Sequence, residues 1–143
     1  MAGDVVLGFD GQEGSQAALR TAVSVAKAFN RSLVIVFGYQ PAAIGGELKD
    51  LRTAVRTVGE RITSEAAATA QSIDPSVSIV LELVDDRPAE AILRAAEEHD
   101  ALVTVVGAAN RGPLAGALLG SVTYQVVHRS TRPVLVVPSP QND

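Results

Sequence analysis

The sequence predicts an α/β domain with a doubly wound, five-stranded parallel sheet flanked by four helices. Short apolar runs alternate along the chain with segments of helical periodicity. The runs are rich in Val, Ile and Leu and mostly lack strict alternation with polar residues, which is typical of parallel strands covered on both faces. Because 143 residues is an ordinary length for one domain, residues 1–143 are expected to form a single unit.

The predicted strands are the five apolar runs Val5–Phe9, Leu33–Phe37, Val77–Val84, Leu102–Val106 and Val134–Val137. Helical periodicity fills the segments between them. The first helix is expected to bury Ala18, Ala22, Val25, Ala26 and Phe29. The longest, from about Glu47 to Ser72, is expected to present a stripe of Leu48, Leu51, Val55, Val58, Ile62 and Glu65-Ala66.

The last two helices are predicted from their ends. The third follows Asp85-Asp86-Arg87-Pro88, where an acidic residue is expected to cap the helix and Pro88 to lie in its first turn. It is expected to bury Ala91, Ile92, Ala95 and Ala96. The fourth runs from Ser121 to about Ser130, with Ser121 as the expected N-cap. Pro41–Gly46 is interpreted as a plain connection, with a flap over the sheet as the alternative.

Composition argues against several classes of function. Twelve basic and 16 acidic residues give a formal charge of -4, and only 3% of residues are aromatic, so neither duplex nor single-stranded nucleic acid is an expected partner. The apolar runs are too short to span a bilayer. The chain has no cysteine and starts at Met1 without the pattern of a signal peptide, so a cytoplasmic location is expected.

A loop rich in small residues, from Gly107 to Ser121, leaves the fourth strand and leads into the fourth helix. A helix N-terminus offers unpaired N–H donors and a partial positive charge, and a loop of small residues lets an anion approach them. The segment therefore predicts a phosphate-binding site. The chemistry it offers is binding rather than bond making.

A second loop, Gly8-Phe9-Asp10-Gly11, closes the first strand. Ligands of open parallel sheets bind beyond the carboxyl ends of the strands where the winding reverses, so both loops are expected to border one crevice. Asp10 is the carboxylate expected there, where it would accept hydrogen bonds from a ribose or hold a divalent ion that bridges phosphates. The alternative is a purely local role, capping the first helix or forming an Asx-turn.

Two common nucleotide fingerprints are missing. The glycines at 8, 11 and 14 do not fit G-x-G-x-x-G, and no G-x-x-x-x-G-K-[ST] occurs. What the chain has is Gly107, two residues, Asn110, nine residues, and then Gly120-Ser121. Four further segments belong to the same pattern: Val5 to Gly11, Arg87 to Leu93, Leu118 to Val122 and Arg132 to Pro138. Together with the spacing, they resemble the universal stress protein family. The ATP-binding members of that family have Gly, two residues, Gly, nine residues, and Gly followed by Ser or Thr.

The resemblance covers nearly the whole chain and implies a Rossmann-like sheet in the order 3-2-1-4-5. It implies a stress-response module that binds ATP, or ADP or cAMP, with at most slow hydrolysis and no catalytic residue. Mg²⁺ would be held by Asp10 only through the bound nucleotide. The implied nucleotide-binding residues are Gly8, Phe9, Asp10, Gly38, Gly107, Asn110, Gly120, Ser121 and Val122. Arg111 is added as an expected contact of a terminal phosphate, with a solvated loop residue as the alternative. The resemblance also implies a homodimer through the strand Val134–Val137.

The departure from the family pattern is Asn110, which stands where ATP-binding members have Gly. Asn tolerates a positive φ, so the turn is retained, but its side chain crowds a phosphate and weaker binding is expected. The alternative function is therefore a dimeric interaction module of the same fold that binds no nucleotide.

One further cluster looks like a metal site, Glu97-Glu98-His99-Asp100. Consecutive residues of a helix point in different directions, so these side chains are expected to be a solvated helix end. The other histidine, His128, is expected on the surface near the end of the fourth helix. Neither has a Ser or Cys partner in a recognisable catalytic motif.

Overall fold

A computed structural model describes residues 3–40, 48–108 and 120–139. Strands and helices alternate in the order β1 (Val5–Gly8), α1 (Glu13–Phe29), β2 (Leu33–Gly38), α2 (Leu48–Ile73), β3 (Ile79–Val84), α3 (Pro88–Glu98), β4 (Val103–Gly107), α4 (Ser121–Arg129) and β5 (Val134–Val137). The strands form one sheet in the order β3-β2-β1-β4-β5, and every pairing is parallel. The predicted fold class and strand order are confirmed. The loop Pro41–Gly46 lies outside the described residues.

β5 has the predicted bounds, and the other four strands differ from the predicted ones by one or two residues. Phe9 lies beyond the end of β1 and Val77 before the start of β3, yet both are buried. Gly38 and Gly107, in contrast, pair with β3 and β5 although neither was placed in a strand. At Phe9 and Val77 the apolar run therefore extends past the hydrogen-bonded ladder, and at Gly38 and Gly107 the ladder extends past the apolar run.

The core lies on both faces of the sheet. On one face the apolar side chains of α1 and α2 pack against Val5, Leu7 and Ile35, and on the other those of α3 and α4 pack against Val6 and Val34. The central strands β1 and β2 are therefore covered on both faces, as predicted. The edge strands are not, because exposed side chains occur on both β3 and β5.

Two of the predicted helix faces need correction. Phe29 is exposed, while Leu19 and Val23 of α1 enter the core instead. In α2 the residues buried in the core are Gly59, Thr63, Ala66 and Ala70, and Leu51 and Val58 are exposed. A Cβ added at Gly59 would lie 2.5 Å from the Phe37 ring, which shows how closely α2 packs on the sheet. Because the helix is so near, small residues face the sheet and larger ones face outward.

The third helix follows the prediction more closely. Ala91, Ile92, Ala95 and Ala96 are buried, and Pro88 occupies the first turn. Its N-cap, however, is Arg87 and not an acidic residue, and no side chain caps the helix. Asp86 instead accepts a hydrogen bond from the Arg87 N–H at 2.8 Å. The expected acidic cap is therefore wrong, because Asp86 lies one position before the N-cap.

Candidate functional site

A cleft of about 440 Å³ opens at the carboxyl ends of β1, β2 and β4. It lies where the winding reverses, as expected for a doubly wound sheet. Its lining residues are Gly8, Phe9, Asp10, Gln12, Gly14, Ser15, Val36, Phe37, Gly38, Pro88, Ile92, Val106, Gly107, Ala108, Gly120, Ser121, Val122 and Thr123. They come from three strand ends and from the starts of α1, α3 and α4.

Eight of the ten predicted nucleotide-binding residues line this cleft. They are Gly8, Phe9, Asp10, Gly38, Gly107, Gly120, Ser121 and Val122. Asn110 and Arg111 lie outside the described residues. The structure therefore brings the two predicted loops to one crevice, while ligand binding at these residues stays a prediction.

The start of α4 borders the cleft, and no side chain among the described residues caps it. Gly120 is the N-cap, in an extended conformation with ψ 160°, and the first helical hydrogen bond runs from the Tyr124 N–H to the Gly120 carbonyl oxygen at 2.8 Å. Ser121, predicted as the N-cap, is instead the first helical residue, and its hydroxyl oxygen lies 3.3 Å from the Gln125 amide nitrogen, which donates to it. The first-turn N–H groups have no helical acceptor and suit an anion.

The other two helices that begin at the cleft suit an anion less well. In neither helix does the side chain of the N-cap residue form a capping bond, but α1 carries Glu13 in its first turn and α3 carries Glu90. Pro88 further removes one N–H donor from α3. The first turn of α4 has no acidic residue. Of the three helix starts, α4 is electrostatically the most favourable for a phosphate.

Asp10 is held in place by its own loop. Its Oδ1 accepts hydrogen bonds from the Gln12 N–H and from the Ser15 hydroxyl, both at 2.9 Å. The first bond is the Asx-turn that was the alternative expectation for this residue. Among the described residues that line the cleft, Asp10 has the only charged side chain. The carboxylate is thus a fixed acceptor at the cleft whose Oδ2 accepts no bond from the described part of the chain.

Two of the predicted glycines are explained by close packing of the backbone. A Cβ added at Gly107 would lie 2.4 Å from the Gly14 carbonyl oxygen, and one at Gly38 would lie 2.8 Å from the Asp86 carbonyl oxygen. Glycine at these positions lets α1 approach the end of β4 and lets the start of α3 approach the end of β2. The small residues of these loops were expected to let a ligand approach the backbone. At Gly107 and Gly38 the missing side chain also lets two elements of the fold approach each other.

Phe9 contributes to the cleft with most of its side chain buried. Only 5% of the residue is exposed, and the ring belongs to the core cluster on the α1 and α2 face of the sheet. Its N–H donates to the Val36 carbonyl oxygen at 3.0 Å. Phe9 therefore fixes the cleft floor more than it offers surface to a ligand.

The sequence did not single out several lining residues. They are Gln12, Gly14, Ser15, Val36, Phe37, Pro88, Ile92, Val106, Ala108 and Thr123. Ser15 and Thr123 had a usable signal, since each is a hydroxyl residue in the first turn of a helix that follows a strand end. Ile92 and Val106 had none, because apolar residues at core spacing look the same whether or not they border a cleft.

His99 lies away from the cleft, near the amino-terminal end of β1, and is not a solvated helix end as predicted. Its Nδ1 is 3.2 Å from Asp4 Oδ2, and its Nε2 contacts a carboxylate oxygen of Glu82. Burial lowers the pKa of His99, but the hydrogen bonds and charges of Glu82 and Asp4 outweigh it and the net shift is upward. In the described ranges no group of three or more His, Cys, Asp or Glu side chains is arranged for a metal ion.

The remaining surface predictions are met. Glu97 and Asp100 are exposed and pair with Arg132. His128 is exposed in the last turn of α4 and stacks on Tyr124, with ring centroids 4.7 Å apart. Over residues 3–40, 48–108 and 120–139, no helix has the length and apolarity that a membrane span needs.

Comparison with known proteins identifies relatives. The model of the universal stress protein family matches residues 1–138. A universal stress protein of Mycobacterium tuberculosis is 31% identical over 132 residues, which cover 92% of this chain and 44% of that protein. The chain thus spans about half the length of the curated relatives it matches first.

Solved structures agree with the fold. A universal stress protein in complex with cAMP is 30% identical, with a TM-score of 0.74 over 98% of this chain and 100% of its own. One from Archaeoglobus fulgidus in complex with dAMP is 17% identical, with a TM-score of 0.67 over 96% of this chain and 98% of its own, and shows the shared fold alone. Because the family model matches 138 of its 143 residues, the chain belongs to the universal stress protein family.

Proposed function

We propose that this chain binds an adenine nucleotide in the cleft and acts as a regulatory binding module in a stress response. The observation that carries the proposal is the start of α4, which no described side chain caps and which meets an apolar wall and a fixed carboxylate in one cleft. The complex of a 30% identical relative with cAMP supports an adenine nucleotide as the ligand. The stress-response role is proposed from family membership.

Each part of the cleft suits one part of such a ligand. The N–H groups at the start of α4, from Ser121 and Val122 after Gly120, would hold phosphate oxygens. The apolar lining, including Val36 and Ile92, suits the faces of a purine base.

Asp10 lies on the β1 side, where its carboxylate would accept hydrogen bonds from ribose hydroxyl groups. With a triphosphate it would also hold Mg²⁺ together with the phosphates. The proposed ligands are ATP, ADP and cAMP.

We do not propose fast turnover. Rapid phosphoryl transfer needs positioned cationic groups and a group that orients the attacking water. The described residues that line the cleft supply backbone donors, side-chain hydroxyl and amide groups and one carboxylate, but no cationic side chain. Slow hydrolysis at most is expected, and we assign no catalytic residue.

Calorimetric titration tests the proposal. Purified protein, freed of copurified nucleotide by unfolding and refolding, is titrated with ATP, ADP and cAMP, and with GTP as the control base. Saturable binding of at least one adenine nucleotide, tighter than GTP, is expected. Absence of binding to all three, in protein whose circular dichroism is native, would refute the proposal.

The function also includes a dimer formed through β5. This strand lies at the sheet edge, and Leu135 on it is 37% exposed. An apolar edge strand favours pairing with another strand. Sedimentation velocity is expected to show a dimer that Leu135→Lys converts to a monomer, and a wild-type monomer at tens of micromolar would contradict it. A dimer that binds no nucleotide would support the alternative interaction module, which Asn110 also favours.

A further inference from the structure

Thr123 links the start of α4 to the end of β4. Its hydroxyl donates to the Gly107 carbonyl oxygen at 2.6 Å, and the residue is 6% exposed. Hydroxyl groups inside helices usually return to a carbonyl of their own helix, as Thr63 does with Gly59 at 2.7 Å. The Thr123 hydroxyl leaves its helix instead and joins two elements that are 16 residues apart.

The Gly107 carbonyl oxygen, which accepts this bond, belongs to a residue whose position is fixed by its neighbours. Gly107 pairs with Val137 of β5, and its Cα faces the backbone of Gly14 so closely that a Cβ has no room. The Ala108 N–H donates to the Val137 carbonyl oxygen at 2.8 Å, which holds the end of β4 in the sheet. A bond to this carbonyl therefore anchors α4 to the rigid floor of the cleft.

The anchored turn is the one proposed to hold phosphate. Thr123 follows Ser121 and Val122, and all three line the cleft. A small displacement of a donor weakens a charge-assisted hydrogen bond, because such bonds depend steeply on distance and angle. Whatever fixes the first turn of α4 thus controls the affinity for the phosphate and leaves the base-binding wall unchanged.

We infer that Thr123 is a positioning residue, which holds the first turn of α4 against β4 and so sets the contribution of the phosphate to ligand affinity. The part that concerns phosphate rests on the proposed function. The part that concerns the position of α4 does not, and it is testable in ligand-free protein.

Thr123→Val removes the donor and keeps the side-chain shape, and Thr123→Ser restores the donor. Thr63→Val is the matched control, because it removes a buried hydroxyl bond of similar length inside α2. Exchange of the Tyr124 and Gln125 amide protons, followed by NMR in ligand-free protein, is expected to be about fivefold faster in Thr123→Val alone. Unchanged exchange in that variant, or equal acceleration in Thr63→Val, would overturn the inference.

Affinity for AMP and for adenosine supplies the second readout. Thr123→Val is expected to weaken AMP binding about fivefold to tenfold, to leave adenosine binding within about twofold, and to be rescued by Thr123→Ser. Equal losses for both ligands, or no rescue by serine, would overturn the role in phosphate binding. If wild-type protein binds ATP or ADP but not AMP, the same comparison is made with that nucleotide. If it binds none of ATP, ADP and cAMP, the proposed function fails, and amide exchange still decides whether Thr123 positions α4.

Discussion

Gly107 and Gly14 meet backbone to backbone, so that a Cβ built on Gly107 would lie 2.4 Å from the Gly14 carbonyl oxygen and 3.0 Å from the Ser15 nitrogen. One residue ends β4 and the other lies in the first turn of α1. The contact brings the start of α1 and the end of β4 together at the cleft. Glycine at 107 is therefore required by the fold whether or not a ligand binds.

Gly107→Ala is expected to destabilise the protein by about 1–3 kcal/mol, because the neighbouring backbone must move. Gly8→Ala is the matched control at the end of β1. A Cβ there meets the Ile92 Cδ1 methyl at 2.4 Å, and that methyl terminates a flexible side chain. Urea unfolding measures both variants. An equal or smaller loss for Gly107→Ala would contradict the packing explanation.

Asp10→Asn separates the charge of this residue from its local bonds. The Asn oxygen still accepts from Gln12 and Ser15, so the free energy of unfolding is expected to change by less than about 0.5 kcal/mol. A carboxylate that accepts from ribose hydroxyls binds them more strongly than an amide does, so affinity for AMP is expected to fall about fivefold or more. Calorimetry measures the loss. Unchanged affinity would remove Asp10 from the site.

His99 predicts a pH dependence of stability. Glu82 and Asp4 raise its pKa in the folded protein against the effect of burial. A raised pKa means that the stabilisation is fully present below the unfolded value of about 6.5 and is lost as pH rises through the folded value. Stability contributed by this residue is thus expected to decrease from mildly acidic toward alkaline pH.

The control for this prediction is the second histidine. His99→Gln is expected to flatten the fall in the free energy of unfolding above pH 6.5, whereas His128→Gln, at an exposed position on α4, is expected to leave it unchanged. Urea unfolding between pH 6 and pH 9 measures both. The prediction fails if the pH dependence of His99→Gln matches that of wild-type protein.

The sequence was enough to predict the alternation of strands and helices, because buried strands and amphipathic helices have different periodicities. It was not enough to assign the buried face of α2. Leu51 and Val58 fit an apolar stripe, but the approach of Gly59 to Phe37 determines which side faces the sheet, and that distance is a tertiary property. Local periodicity contains no information on how near two elements pack.

The residues of the candidate site, like the elements of the fold, were predicted from the sequence in part. Residues that end strands, such as Asp10, were found because the topology brings strand ends together. The partners of His99 were not, since Asp4 is 95 residues away and Glu82 lies on a different element. Contacts between distant positions depend on the complete fold, and a single sequence does not record them.

Ser121→Pro tests whether the first-turn N–H groups of α4 bind phosphate. Proline is favoured at the first helical position, and the Gly120 conformation (φ -65°, ψ 160°) is one that a residue before proline adopts, so the fold is expected to remain intact. The substitution removes both the N–H and the hydroxyl group, and Ser121→Ala removes the hydroxyl alone.

Calorimetric titration with AMP compares the two variants with wild-type protein. Ser121→Pro is expected to weaken AMP binding at least about tenfold beyond the loss in Ser121→Ala, because a hydrogen bond to a charged phosphate is lost. Equal affinities of the two variants for AMP would contradict the role of the first-turn N–H groups in phosphate binding.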